Sequence, residues 1–177
     1  MIKLIVLDVD GIMTDGKKYY DKEGTVRMKT FCDKDWTAIK RFRALGIEVM
    51  FLTGDPFNTT IAHNRNLDVM VNRNYGAHLD KSEYLPTICQ KYNVTPEEVA
   101  FAGDDIFDVK LMQLVGKAYC PSDAPEIVKT NAVILGPGGE NFVMRMFDSM
   151  VYWGLIKIDN FDDHLAKVYE LDLQEKF

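Results

Sequence analysis

Three cysteines in 177 residues, none in a C-x-x-C arrangement, are too few and too scattered for a disulfide framework or a zinc site. Cys32, Cys89 and Cys120 are read instead as small buried or half-buried thiols, which fits a reducing cytoplasm. No apolar run is long enough for a membrane span, and no basic segment with a following apolar stretch opens the sequence. Neither a transmembrane helix nor a secretory signal is expected. Excess positive charge is also missing: 21 Lys and Arg stand against 27 Asp and Glu, a net charge of −6. That balance excludes nucleic acid or an anionic membrane as the main partner. A small anionic substrate stays open, because a local cluster can still bind phosphate. Internal repeats and low-complexity tracts are absent.

What is there is an ordinary globular composition, 47% hydrophobic and 27% charged, in a chain long enough for one domain with a substantial core. Short β-rich runs over 2–8, 47–53, 68–72, 98–104, 117–121 and 131–135 alternate with helical candidates near 34–45, 56–66, 80–92, 105–114 and 124–130. Most of the runs are apolar on both parities, the pattern of strands covered on both faces. Thr95-Pro96-Glu97-Glu98 has capping-box spacing with Pro at the first helical position. Such alternation predicts an α/β fold: a Rossmann-like parallel sheet, right-handed crossovers and helices on both faces. Residues 17–31 break the rhythm and read as a β-hairpin around Asp21-Lys22-Glu23-Gly24. Beyond a core of residues 1–152, ending in a helix over about 140–152, a polar tail (153–177) reads as a short helix. Leu165, Val168 and Tyr169 would share one of its faces.

The first strand, "IKLIVLD", ends in charge, with Asp8 and Asp10 two residues apart. In open α/β sheets ligands bind at the carboxyl ends of the strands. Those ends also carry Thr53-Gly54 and Gly103-Asp104-Asp105, with Asp108 behind, while Lys81 opens a helix between them. Clustered carboxylates repel one another unless a hard cation sits among them, and an all-oxygen site suits Mg²⁺. Phosphoryl transfer uses all of these parts. One carboxylate serves as nucleophile, and a neighbouring one as acid and then base. Crowding of such a pair raises one pKa. A cation, an ammonium, a hydroxyl and backbone N–H groups neutralise the phosphoryl oxygens. A phosphoreceiver signalling domain uses similar parts in another order, with the phosphorylated Asp on a later strand and the Lys at the last one. A metal-binding D-x-D of the glycosyltransferase type lacks a nucleotide-binding signal here. A non-catalytic phosphate-binding relative would have no need of both Asp8 and Asp10.

The ordered set D-x-D-G-x-x-T-D, T-G after a strand, a lone Lys and G-D-D-x-x-D resembles the four motifs of the haloacid dehalogenase superfamily. Within it, "DVDGIMTDG", "KTF", "TGD", "LDK", "VAFAGDDIFD" and "GPGGE", over roughly residues 1–150, resemble a capless phosphatase subgroup. That subgroup contains 3-deoxy-D-manno-octulosonate 8-phosphate phosphatase and its nine-carbon sugar-acid relatives. The resemblance implies Asp8 as nucleophile and metal ligand, and Asp10 as general acid/base that lends its backbone carbonyl to the metal. Asp104 would be the third ligand, with Asp105 and Asp108 behind it. Thr53, the Gly54 N–H and Lys81 would hold the phosphoryl group. It further implies Mg²⁺, a phosphorylated eight- or nine-carbon sugar acid as substrate, with the octulosonate ester first, and a homotetramer. The hairpin would lie at the tetramer interface, and Arg145 would reach a neighbour's site.

Three positions depart from the subgroup's usual pattern. Asp55 stands where octulosonate enzymes have Arg and nine-carbon relatives often carry an acid. His63 stands where an Arg commonly follows, with Arg65 two positions on. Asp35-Trp36-Thr37-Ala38 replaces D-G-x-G and would set an indole near the substrate's path. On this reading Asp55 accepts hydrogen bonds from substrate hydroxyls, and Arg65, Arg73 or a neighbour's Arg145 pairs with the substrate carboxylate. His78 and His164 are read as surface or internally satisfied histidines. Neither gap between the first motifs has room for a lid, so another chain is expected to roof the site.

Overall fold

The computed structural model describes residues 1–75 and 80–175. In chain order, β1 (Leu4–Leu7) leads into a hairpin of β2 (Tyr19–Tyr20) and β3 (Val26–Met28), then α1 (Asp33–Ala44), β4 (Glu48–Thr53), α2 (Asn58–Asn64) and β5 (Asp68–Val71). There follow α3 (Leu85–Tyr92), β6 (Val99–Ala102), α4 (Val109–Met112), β7 (Lys117–Cys120), α5 (Glu126–Lys129) and β8 (Val133–Ile134). The last two elements are α6 (Phe142–Tyr152) and α7 (Phe161–Asp172). The sheet is parallel, in the order β5-β4-β1-β6-β7-β8, and the β2-β3 hairpin stands apart from it. This is the expected Rossmann-like architecture without a cap domain. His78 lies outside the described residues.

Strand β1 is central, with Leu4 level with both Glu48 and Val99. Because successive strand residues point to opposite faces, Ile5 and Leu7 join Phe51, Trp36, Phe42 and Phe147 in one layer. Leu4 and Val6 join Met50, Leu52, Leu85 and Phe101 in the other. That double burial is why the strands are apolar on both parities.

Local chemistry fixes the element ends. Helix α1 has Asp33 and Asp35 in its first turn and Arg41 and Arg43 in its last, matching the helix dipole. Asn93 closes α3 in the left-handed conformation, and the capping box at Thr95–Glu98 is present. The segment read as one helix over 105–114 begins instead as a 3-10 turn, Ile106–Asp108. Asp21 organises the hairpin turn: its Oδ1 accepts from Glu23 N (3.0 Å) and Thr25 N (2.8 Å), and its Oδ2 from Arg27 Nε (2.6 Å).

The tail helix α7 packs on α1, but not by the face expected. His164 and Val168 are buried and Leu165 half-buried, whereas Tyr169 is 62% exposed. Just past α7, Glu175 pairs with Lys40 and Arg65, which rotates the packed face toward 164, 168 and 175. Among the described residues no helix is long and apolar enough to cross a membrane.

Candidate active site

The strand ends build the site. Asp8, the residue after β1, is held by Asp8 N donating to Ala102 O (2.9 Å), and its Oδ1 accepts from Val9 N (2.6 Å). Lys81 starts a 3-10 turn, Lys81–Tyr84, capped by Asp80, whose Oδ1 accepts from Ser82 N at 3.0 Å. The buried Lys81 ammonium bonds Asp8 Oδ2 and lies 2.7 Å from Asp108 Oδ1. Asp108 is fully buried, and its Oδ2 accepts from the main chain of Asp104 (2.9 Å) and Asp105 (3.0 Å). It therefore shapes the acidic turn after β6. Asp105 is exposed and caps that turn, its Oδ1 taking Ile106 N at 2.6 Å.

Glycine is obligatory beside these groups. Gly11 has φ +83°, and a Cβ there would lie 2.0 Å from Asp104 Oδ2. From the "GPGGE" loop, Gly138 presses so close to the loop after β1 that a Cβ would sit 1.8 Å from Gly11 O. Next to it, Gly139 N donates to Ile12 O at 2.9 Å.

Asp8, Asp104 and Asp108 each present a carboxylate oxygen, all within 4.8 Å of one another. One ammonium for three carboxylates leaves the cluster anionic. Burial raises the Asp8 pKa to about 6 despite Lys81, with Asp108 adding to the rise. Asp104 is pushed up to about 8, by burial first and then by the charges of Asp8 and Asp108. Burial alone would lower Lys81, but Asp8 and Asp108 outweigh it and raise its pKa. An all-oxygen, over-acidic set of this kind fits a hard divalent cation.

A second cluster lies beside the first. The Asp10 carboxylate turns away from the acidic set toward Lys29 Nζ, 2.7 Å from Oδ1, and Lys18 Nζ, 3.5 Å from Oδ2. Asp55 Oδ2 takes both Lys18 (2.7 Å) and Lys29 (2.9 Å), and its Oδ1 accepts from Phe57 N at 3.0 Å. Burial would raise the Asp55 pKa, yet the two lysine hydrogen bonds hold it well below the usual carboxylate range. Asn58 Nδ2 donates to Thr53 Oγ1 at 2.8 Å, while Asn58 Oδ1 accepts from Lys29 at 2.8 Å. Asp8, Lys81, Asp104 and Asp108 of the first cluster and Asp10, Lys18, Thr53 and Asp55 of the second line an open pocket of 460 Å³, which also includes Gly54 and Arg73.

Residues 75–137 match the family of haloacid dehalogenase-like hydrolases. Over 163 residues the chain is 31% identical to the 3-deoxy-D-manno-octulosonate 8-phosphate phosphatase of Haemophilus influenzae, covering 91% of this chain and 88% of that one. It belongs to the haloacid dehalogenase-like phosphatases. The corresponding Escherichia coli enzyme is 28% identical over 152 residues, covering 85% of this chain and 79% of the relative. Among solved structures, a cobalt-bound form of the Haemophilus influenzae enzyme superposes with a TM-score of 0.80 at 26% identity, covering 93% of this chain and 96% of that one. The Moraxella catarrhalis enzyme, in complex with magnesium, phosphate and the octulosonate, gives 0.78 at 25%, covering 93% and 92%.

The phosphatase fold thus gathers Asp8, Asp10, Thr53, Gly54, Asp55, Lys81 and Asp104 around one pocket. Of the expected metal set, Asp8 and Asp104 cluster through their carboxylates. Asp108 completes the acidic trio, and the Asp10 side chain does not join it. Arg65 is not among the pocket-lining groups: it is drawn to Glu175 and stacks 4.8 Å over the Trp36 ring. Trp36 itself is 3% exposed and sits against Phe31 and Phe51, so it belongs to the core and not to a substrate path. Its place on α1 in line with Ile39 and Phe42 was the available signal. Arg145 lies along its own chain's loop, where a Cβ at Gly136 would be 2.7 Å from its Nε. Asp35, from the departed motif, accepts from Met144 N at 3.1 Å and so caps α6 from across the fold. Its burial raises its pKa to about 6. Sequence reasoning missed Lys18, Lys29 and Asn58, although Lys29 lies in the quoted "KTF".

Proposed function

We propose that this phosphatase hydrolyses 3-deoxy-D-manno-octulosonate 8-phosphate to the free sugar acid and phosphate, through a phosphorylated Asp8. The observation that carries the chemistry is the convergence of Asp8, Lys81, Thr53 and Asp104 on one open pocket. The substrate choice rests on the names of the relatives similar over most of the chain. Asp8 attacks phosphorus as the ester oxygen leaves, and protonated Asp10 supplies the proton that the departing sugar hydroxyl needs. Asp10, now ionised, takes a proton from the water that cleaves the acyl phosphate, which restores both carboxyl groups. Thr53 Oγ1 accepts from Asn58, so its own hydrogen would turn to a phosphoryl oxygen, and the Gly54 N–H would donate beside it. Lys81 neutralises a second phosphoryl oxygen.

Mg²⁺ would be held by Asp8, Asp104 and the Asp10 carbonyl, with Asp108 steadying the turn, and it would supply electrophilic stabilisation of the transferring group. The substrate carboxylate would meet Lys18 and Arg73 on the open side of the pocket, since Asp55 is already neutralised by two ammonium groups. A homotetramer with the hairpin at its interface fits the exposure of Tyr19, Tyr20 and Met28, and Arg145 of a neighbour would then approach the rim.

A comparison of kcat/KM for octulosonate 8-phosphate, neuraminate-type 9-phosphates and hexose phosphates tests the substrate. The octulosonate ester is expected to lead by tenfold or more, about 1.4 kcal/mol of transition-state binding. A nine-carbon ester in the lead would move the assignment to that class, for which acidic Asp55 speaks. A hexose phosphate in the lead would remove the sugar-acid reading.

A further inference from the structure

We propose that Lys29 is a positioning residue that holds the Asp10 carboxylate in its working place, and that the hairpin delivers it. The inference rests on the reading of Asp10 as acid and base. Lys29 follows β3 directly, so its ammonium reaches the site only when the hairpin is docked. Its side chain has no exposure at all, whereas those of Asp10 and Asp55 are 24% and 20% exposed. The cation therefore lies inside, with the carboxylates between it and the pocket. It does not meet a substrate there and acts through its partners. Lys18, which lines the pocket, is the contrast.

An ammonium has three N–H donors, and Lys29 has three acceptors to match. Asp10 Oδ2 lies at 2.9 Å, Asp55 Oδ2 at 2.9 Å and Asn58 Oδ1 at 2.8 Å. The Phe57 ring, 5.2 Å away, covers a further side. These partners come from the loop after β1 and from the loop after β4 with the start of α2. The same Asn58 holds Thr53 Oγ1 at 2.8 Å, so one buried nitrogen sets the spacing between Asp10 and the phosphoryl-binding hydroxyl. Stability alone accounts poorly for this arrangement, because buried ion pairs gain little net free energy over apolar packing. Geometry at the reacting groups is the better reason: small displacements of a catalytic group cost large factors in rate.

The test uses two phosphate esters with the full chain. An alkyl phosphate needs a proton on its leaving oxygen, and p-nitrophenyl phosphate, with a good leaving group, hardly does. Lys29→Met is expected to lower kcat/KM for the alkyl ester roughly 10–100-fold and for the nitrophenyl ester less than about 3-fold. On an Asp10→Asn background it should change neither further. Equal losses on both esters, or a loss that adds to that of Asp10→Asn, would overturn the proposal. If Lys29→Met does not fold by thermal melting, Lys29→Gln, which keeps N–H donors, is read by the same two ratios. If neither variant folds, Lys29 is a fold-determining ion pair and the proposal fails. Asp10→Asn without a selective loss on the alkyl ester would instead remove the reading of Asp10 itself.

Discussion

Two clusters of lysine and carboxylate share the pocket, and their charge balances are opposite. Around Lys81, one ammonium faces Asp8, Asp104 and Asp108. Around Lys29 and Lys18, two ammonium groups face Asp10 and Asp55. The first set is short of positive charge, and its carboxyl pKa values are driven up, to about 6 at Asp8 and about 8 at Asp104. In the second, Asp55 is driven down. The difference teaches which part of the site is short of a counter-charge and which part already holds its own. An acidic surplus at strand ends is where the proposed cation and phosphoryl group would meet, and the paired lysines and carboxylates beside it hold the surrounding groups in register.

The sharpest way to break this comparison is Asp8→Asn, which brings the first cluster nearer to neutrality while removing the proposed nucleophile. Released phosphate should fall by at least about 10³-fold for any monoester. Retention of a tenth of the native rate would mean that the surplus charge serves something other than phosphoryl transfer. Asp104→Asn is expected to act next in size, lowering Mg²⁺-supported turnover about 100-fold. In chelator, however, the variant should melt no lower than the native chain, since a carboxylate crowded by Asp8 and Asp108 is a liability without a cation. A clear drop in Tm in chelator would place Asp104 among the groups that hold the fold.

The smallest effect is expected in the balanced set. Asp55→Asn should lower Tm at neutral pH by roughly 2–4 °C, on the order of 1 kcal/mol for partly exposed pairs. The sign with pH follows from the depressed pKa of Asp55. Its stabilisation is fully present above the unfolded value near 3.8 and is lost as pH falls toward the lower folded value. The gap in Tm between the two proteins should therefore close on acidification below about pH 4. A gap that widened there would mean that Asp55 is not held ionised by its lysines.

Sequence made the first cluster legible and the second nearly invisible, for physical reasons. Asp8, Thr53 and Asp104 each lie at or just past the end of a strand apolar on both parities, so strand ends and chemistry could be read together. Lys18 and Lys29 sit on a two-by-three-residue hairpin whose docking no periodicity encodes, and they meet Asp10 and Asp55 only in three dimensions. Arg65 was expected near the substrate, but the partner that claims it, Glu175, lies 110 positions away in the chain. Trp36 was misread because motif position was weighed above its helical alignment with Ile39 and Phe42. On α7, helical spacing identified Val168 correctly, but the packed face also takes in His164, which lies against Phe147, and Glu175 beyond the helix pairs with Lys40 and Arg65.

The approach of Gly138 to Gly11 has a consequence for synthesis on the ribosome. Asp8 and Asp10 are polymerised before the rest of the site, and β1 lacks one of its two neighbours until Val99–Ala102 have been made. The turn carrying Asp10 gains a further brace when Gly138 and Gly139 arrive against Gly11 and Ile12. A nascent chain therefore carries Asp8 long before that carboxylate has its geometry, and stalled chains that end before Gly138 should release no phosphate from an ester. Activity therefore doubles as a report that translation and folding have reached at least Gly139.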